Sequence, residues 1–314
     1  MKKPAIRIFI FLFMFSLLPQ RALAADRLIP VGRVIGLELK NDTVTVAGFE
    51  ADSKAKTAGL QEGDCLLRVN ETPITCARDV KEALSQADGS ATLTVRRGQE
   101  QKHIRVSGQK LGVYLKEGVT GIGTVTWYDP DSQSFAALGH GVNTPAGDLL
   151  ELTSGNVYDA RIVSVRKGKT GKPGQLMGAV TNTTPIGSLR RNTCQGVFGN
   201  ASLPYTGKAL PVADPDAVRT GKATILSNIS DQSVQEYSVE ILKIYAGGRN
   251  ADRNMLIRIT DPALLETTGG IVQGMSGSPI IQDGKLIGAV THVLVNDPTT
   301  GYGIFVENML DAAA

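Results

Sequence analysis

Three cysteines, three histidines and one tryptophan in 314 residues leave little room for several kinds of chemistry. Cys65, Cys76 and Cys194 form no Cys-x-x-Cys pair. No His, Cys or Asp cluster has metal-ligand spacing, so zinc and dithiol redox motifs are absent and no cofactor is expected. Burial as small hydrophobes is the simplest role for the three thiols, with a Cys65–Cys76 pairing as the alternative. A field of one charge sign is also missing. The net charge is +3, and Lys2, Lys3, Arg7 and Arg21 fall in a first stretch of 24 residues that holds no acid. The rest of the chain has 29 basic and 30 acidic residues, which excludes the basic surface a nucleic acid would need. Nucleotide loops are absent as well. Gly168-Lys169-Thr170 has a Walker-like ending, but Val163 stands where the first glycine belongs, and Gly118 to Gly123 lacks GxGxxG spacing.

The N-terminus has the layout of an export signal. Lys2, Lys3 and Arg7 precede an apolar run from Ile8 to Leu18 broken only by Ser16, and Ala22-Leu23-Ala24 supplies small residues for cleavage. Eleven residues fall short of the roughly 20 that span a bilayer. Residues 1–24 are therefore expected to be a cleaved signal, with an uncleaved anchor as the alternative.

Residues 27–107 read as one small domain. Val34–Leu39, Val44–Gly48, Cys65–Val69, Ala91–Arg96 and His103–Val106 have strand patterning. Ala77–Ala87 places Val80, Ala83 and Leu84 on one helical face. The run from Ala58-Gly59-Leu60 through Gly63-Asp64-Cys65-Leu66 to Val69-Asn70 resembles the signature of PDZ domains. That resemblance implies a peptide taken up as an added strand, its C-terminal carboxylate held by a glycine-rich loop. Gly36-Leu37-Glu38-Leu39 is the candidate loop, with Glu38 where a glycine is usual.

From Leu111 to Ala314 the chain is rich in Gly, Thr, Val and Ile, with many short strand-like runs. One hairpin is explicit: Ile280-Ile281, an Asp283-Gly284 turn, then Leu286–Val290. The expected class is mainly β, a barrel or sandwich, with a short closing helix from Asn308 to Ala314.

The hexapeptide Gly274-Met275-Ser276-Gly277-Ser278-Pro279 carries the chemistry. Trypsin-like serine proteases display their nucleophile in a Gly-x-Ser-Gly-x-Pro run, because flanking glycines allow a tight loop that aims N–H groups at one point. Gly274 and Ser276 are the candidate backbone oxyanion donors. A glycine-rich hairpin without chemistry is the bland alternative. A serine needs a base. His140 follows a strand-like run and is flanked by Gly139 and Gly141, which makes it the first choice. His292, in the strand-like run Gly288–Val293, reads as a structural or supporting residue and is the second choice for the base, and His103 reads as a surface or edge residue. For the orienting carboxylate Asp261 ends an apolar strand fifteen residues before Ser276. Asp261-Pro262-Ala263 is equally a helix cap with proline at the first turn. Asp129, Asp131, Asp148 and Asp252 are rivals in polar, turn-like contexts.

Taken together, these segments, with Gly284–Val293 and Gly301–Phe305, resemble the stage IV sporulation protein B peptidases. The resemblance implies a PDZ domain at 27–107 and, at 111–314, an S55-type serine peptidase domain with a chymotrypsin-related double β-barrel. It implies Ser276 as nucleophile, His140 as base and Asp261 as acid. It further implies export into the space between forespore and mother-cell membranes, self-cleavage with PDZ recognition of its own chain, and cleavage of a membrane-bound regulator of an intramembrane metalloprotease. Processing of a late sigma factor would follow. The rival expectation is a non-catalytic PDZ scaffold with a degenerate peptidase domain.

Overall fold

A computed structural model of the chain describes residues 26–108, 110–144, 147–202, 207–230, 233–245 and 252–314. The export segment, residues 1–24, lies outside the described residues.

In chain order the first elements are β1 (Arg27–Pro30), β2 (Val34–Phe49), α1 (Lys54–Thr57), β3 (Cys65–Val69), β4 (Thr72–Pro73), α2 (Ala77–Ser85), β5 (Ser90–Arg97), β6 (Glu100–Ser107) and β7 (Val113–Asp129). There follow β8 (Ser134–Ala137), β9 (Ser154–Arg166), β10 (Gln175–Val180), β11 (Gly187–Thr193), β12 (Gly196–Ala201) and β13 (Leu210–Pro211). The last third holds β14 (Gly221–Ser227), β15 (Gln235–Ile244), β16 (Met255–Ile259), α3 (Pro262–Thr268), β17 (Pro279–Gln282), β18 (Lys285–Leu294), β19 (Asp297–Phe305) and α4 (Val306–Ala313).

Alternation builds the second barrel. Ala223, Ile225 and Ser227 on β14, Tyr237, Val239 and Ile241 on β15, and Met255, Ile257 and Ile259 on β16 all turn inward at a spacing of two. The ring closes in the order β14-β15-β16-β19-β18-β17, so no strand edge is left open to other chains. Each fully buried Ile, Val or Met stabilises this core by about 1.5–3 kcal/mol. The β17–β18 connection is the expected Asp-Gly turn, with both Asp283 (φ 51°) and Gly284 (φ 74°) left-handed.

The first barrel runs β7-β8-β12-β11-β9-β2 and returns to β7 through a direct β2–β7 pairing. Leu37, Leu39, Val125, Phe135, Val157, Leu189 and Val197 fill it. Its edges hold the PDZ module. The second half of β2, from Val44, pairs with β3 and with the start of β7, and β5 and β6 extend the same sheet. Helices α1 and α2 cover a separate core that includes Leu60, Val69, Val80, Leu84 and Leu93. Asp64 is fully buried there and forms a two-pronged ion pair with Arg97.

This pairing moves the domain boundary expected at residues 27–107. Val34–Leu39 are register partners of Thr124–Val119 on one side and, from Ile35 onward, of Asp159–Gly155 on the other, so they belong to the peptidase barrel. The PDZ module sits between two barrel strands. The chain leaves the barrel at Leu39 and re-enters it at Val119, and these two residues face each other in register. Gly118 closes that crossing at φ 69°, where a Cβ would lie 1.8 Å from the Leu39 carbonyl oxygen.

Candidate active site

Ser276 lies in the connection between α3 and β17, where the sequence leaves no room for ordinary side chains. Gly277 has φ 96°, and a Cβ there would lie 2.0 Å from the Thr124 carbonyl oxygen and 2.5 Å from Leu138 N. Gly274, at φ 100°, faces Leu176. The loop is fastened from both barrels. Gly277 N–H donates to Val290 O (2.8 Å), Ser278 N–H to Met275 O (2.9 Å), and Thr124 N–H to Ser276 O (3.2 Å). The Thr124 hydroxyl donates to Gly274 O (2.7 Å). The Gly274 and Ser276 N–H groups have no acceptor among the described residues, as an oxyanion site requires.

His140 is delivered by a sharp bend after β8. Leu138 and Gly139 are both left-handed, at φ 72° and 68°. For a leucine this is a strained conformation, costing about 1–3 kcal/mol, of the kind that persists at functional sites. A Cβ on Gly139 would lie 3.0 Å from Thr291 Cγ2, so the glycine lets the histidine loop sit against β18. His140 Nδ1 lies 2.8 Å from the Gly141 carbonyl oxygen. A carbonyl can only accept, so Nδ1 carries the proton and Nε2 keeps its lone pair. Burial holds the His140 pKa below its ordinary 6.5, against the opposing pull of Gly141 O and Asp252.

The two groups share one cleft between the barrels, of about 490 Å³, lined also by His292. The His140 and His292 rings are 5.1 Å apart, centroid to centroid. His292 Nδ1 is buried without a partner among the described residues. Burial first, then the neighbouring His140 and Arg253, push the His292 pKa down to about 4, with Asp252 opposing. His292 is thus part of the cleft, where its strand pattern suggested a structural residue. The signal that could have found it is β18 itself, which runs from the hairpin after the serine back past the nucleophile. In this conformation the Ser276 hydroxyl donates to Thr291 O at 2.7 Å. It must turn away from that carbonyl to reach an imidazole.

Asp261 is not brought to this cluster. Its carboxylate accepts from Ala263 N–H (3.0 Å), Leu264 N–H (3.1 Å) and Ser238 N–H (3.3 Å). It caps α3, with Pro262 in the first turn, and its charge acts on Tyr237, whose pKa burial and Asp261 raise together. The helix-cap alternative legible in the sequence is the one the chain adopts. Of the rivals, Asp129 caps a turn by accepting from Asp131 N–H and the Ser132 hydroxyl. Asp252 is the carboxylate whose field reaches both cleft histidines. Among the described residues no Asp or Glu lines the cleft itself.

Gly36-Leu37-Glu38-Leu39 is corrected too. These residues lie in the first half of β2, paired on both sides, so their amides are not free to hold a carboxylate. Glu38 accepts from Asn156 Nδ2 (2.9 Å) and Tyr158 OH (2.8 Å). Burial works against its charge, but these bonds and Lys40 outweigh that and keep its pKa below the ordinary value. His103 is an exposed residue of β6 beside the Thr94 hydroxyl. All three cysteines are free: Cys65 buried, Cys76 half-buried and Cys194 exposed.

Comparison with known proteins agrees with this layout. A PDZ domain model matches residues 45–97, the same stretch that forms most of the separate core. Probable CtpA-like serine proteases of Staphylococcus aureus, in strains COL and N315 among others, are 31% identical over 107 residues, covering 31% of this chain. The chain spans only about a fifth (22%) of the length of these relatives. Crystal structures of the Rv3671c protease align at 16% identity. The inactive form gives a TM-score of 0.35 over 62% of this chain and 82% of that one. The active form, from M. tuberculosis, gives 0.34 over 62% and 72%. Likenesses this distant bear on no point of chemistry. The model of the SpoIVB peptidase S55 family matches residues 107–310, the larger part of the chain and the whole of the cleft's second wall. That extent decides kinship: this protein belongs to the SpoIVB peptidase S55 family and carries a PDZ domain.

Proposed function

We propose that Ser276 and His140 form the catalytic pair of an endopeptidase, with the Gly141 carbonyl in the place of an orienting acid. The observation that carries this reading is the 2.8 Å approach of His140 Nδ1 to the Gly141 carbonyl oxygen. Its Nδ1–H is committed to Gly141 O, leaving Nε2 to take the Ser276 proton and later to pass it to the leaving amine. Carbonyl attack places negative charge on the substrate oxygen, where the Gly274 and Ser276 N–H groups are unspent. Ser276→Ala is expected to abolish cleavage and labelling by a fluorophosphonate probe while leaving the melting temperature unchanged. Equal labelling of parent and variant would overturn the assignment. The rival reading, a PDZ scaffold without catalysis, draws on the Ser276–Thr291 hydrogen bond, which commits the hydroxyl proton to a carbonyl instead of an imidazole. The same labelling decides between them.

Family membership supports the wider role. The chain is exported to the space between forespore and mother-cell membranes. There it cuts itself and a membrane-associated regulatory protein, so releasing intramembrane processing of a late sigma factor. The PDZ peptide site is the outer edge of β7 at Val113–Glu117, which has no strand partner among the described residues and lies beside α2. Leu111-Gly112, with Gly112 at φ 67°, stands at its head. Purified protein should shorten on incubation and its Ser276→Ala variant should not. Shortening of both at one rate would remove self-cleavage from this account.

A further inference from the structure

The cleft shows which substrates it can hold, a conclusion that rests on the serine peptidase reading of Ser276 and His140. Among the described residues its walls carry no Asp, Glu, Lys or Arg. Leu39, Leu138 and Val142 line the first-barrel side, and Ile271, Val272 and Val293 the second-barrel side. The direction of the substrate follows from the chemistry. The leaving amine takes its proton from His140, so it lies on the first-barrel side. The residue whose carbonyl is attacked then lies against the opposite wall, Ile271–Gln273 and Thr291–Val293.

That wall is shallow. Ile271 is 2% exposed and is anchored by its N–H to Pro298 O at 2.7 Å. Its side chain fills the space beneath β18 and β19: a Cβ on Gly301 would lie 2.6 Å from Ile271 Cδ1 and 2.4 Å from His292 O. Val293 packs against the same cluster. We propose that this peptidase selects a compact aliphatic side chain at the residue whose carbonyl Ser276 attacks, with Ile271 and Val293 setting its size and excluding charge. No described residue of the lining offers an ionic side chain a countercharge, and the fields of Asp252 and Arg253 at His292 oppose each other, so such a side chain would be desolvated there with little compensation. A ring would have to displace Ile271. Discrimination by one or two carbons in such a wall is worth about 10–200-fold in kcat/KM.

The test is a set of quenched-fluorescence peptides differing only at that residue: Ala, Val, Leu, Phe, Lys and Glu. Purified protein is expected to favour Ala, Val and Leu over Lys and Glu by about a hundredfold and over Phe by at least about tenfold. Ile271→Ala should raise the Phe-to-Leu ratio at least about tenfold. Because Ile271 is buried and the variant could fail to fold, Val293→Asp is the second arm. It places a carboxylate where a substrate lysine would lie and should raise the Lys-to-Ala ratio at least about tenfold. Fluorophosphonate labelling of every protein separates the two ideas. Protein that labels at Ser276 but cleaves Lys or Glu peptides as fast as Ala, or whose preferences neither variant moves, overturns the size-and-charge inference alone. Parent protein that is folded but does not label overturns the catalytic reading and this inference with it.

Discussion

Removing the Asp261 carboxylate separates a cap from a catalytic acid. Asp261→Ala deletes the acceptor of two N-terminal helix N–H groups and of Ser238 N–H. Loss of an Asp cap costs typically about 1 kcal/mol, within a range of roughly 0.5–2. The Ser238 bond is exposed, so water replaces it and adds little. For a domain of this size each kcal/mol lowers the melting temperature by about 2–4 °C, so a fall of about 1–8 °C is expected. Asp261→Asn should move it by about 1 °C or less, since asparagine caps as well as aspartate. In both variants kcat/KM at neutral pH, measured well below the melting temperature, should stay within about threefold of the parent. Loss of a true triad acid lowers kcat by about ten-thousand-fold. Asp261→Asn protein that melts like the parent yet turns over a hundredfold more slowly would refute the placement of Asp261 outside the chemistry.

Further outcomes follow from the same geometry. His140 acts as a base only when neutral, and burial holds its pKa below 6.5; kcat/KM should therefore fall as pH drops through a value under 6.5 and be flat through neutrality, and an acid limb centred above about 7 would count against it. His292 has a folded pKa of about 4 against an unfolded value near 6.5, so the unfolded chain binds more protons between them; stability should be complete above about pH 6.5 and decline toward pH 4, and His292→Gln should flatten that decline in melting experiments. Gly277→Ala forces a Cβ to within 2.0 Å of the Thr124 carbonyl oxygen and should cut fluorophosphonate labelling at least about a hundredfold; unaltered labelling would show that the loop shifts freely. Arg97→Met strands the fully buried Asp64 and should cost the PDZ module about 3–5 kcal/mol in urea unfolding, whereas a loss below about 1 kcal/mol would show that Gln61 N–H alone satisfies the carboxylate.

Much of the site was legible because its requirements are local. Glycines around Ser276 and His140 mark backbone that only glycine tolerates, and the Asp283-Gly284 turn fixes the hairpin that follows. The rest depends on partners distant in sequence. Val34–Leu39 reads correctly as a strand, but alternation cannot say whether its neighbours are Cys65 and Leu66 of the small domain's sheet or Ile122 and Tyr158 of a barrel. Ile122 and Tyr158 are the partners it takes, and both lie far along the chain, beyond the whole PDZ module. Asp261 has the same ambiguity in smaller form, since strand end and helix cap use the same residue type, and only the fold shows the cap. His292 sits at a strand position where alternation allows either face, and the return of β18 past Ser276 decides which one it takes.

The pairing of Leu39 with Val119 has a consequence for how this protein can be cut. A module strung on one end of a chain is shed by a single nick in its tether. Here the module stands in the place of a hairpin turn, and both of its roots are held in the ladder of one closed ring. One break anywhere inside it leaves each fragment still fastened to the catalytic body, so release requires two.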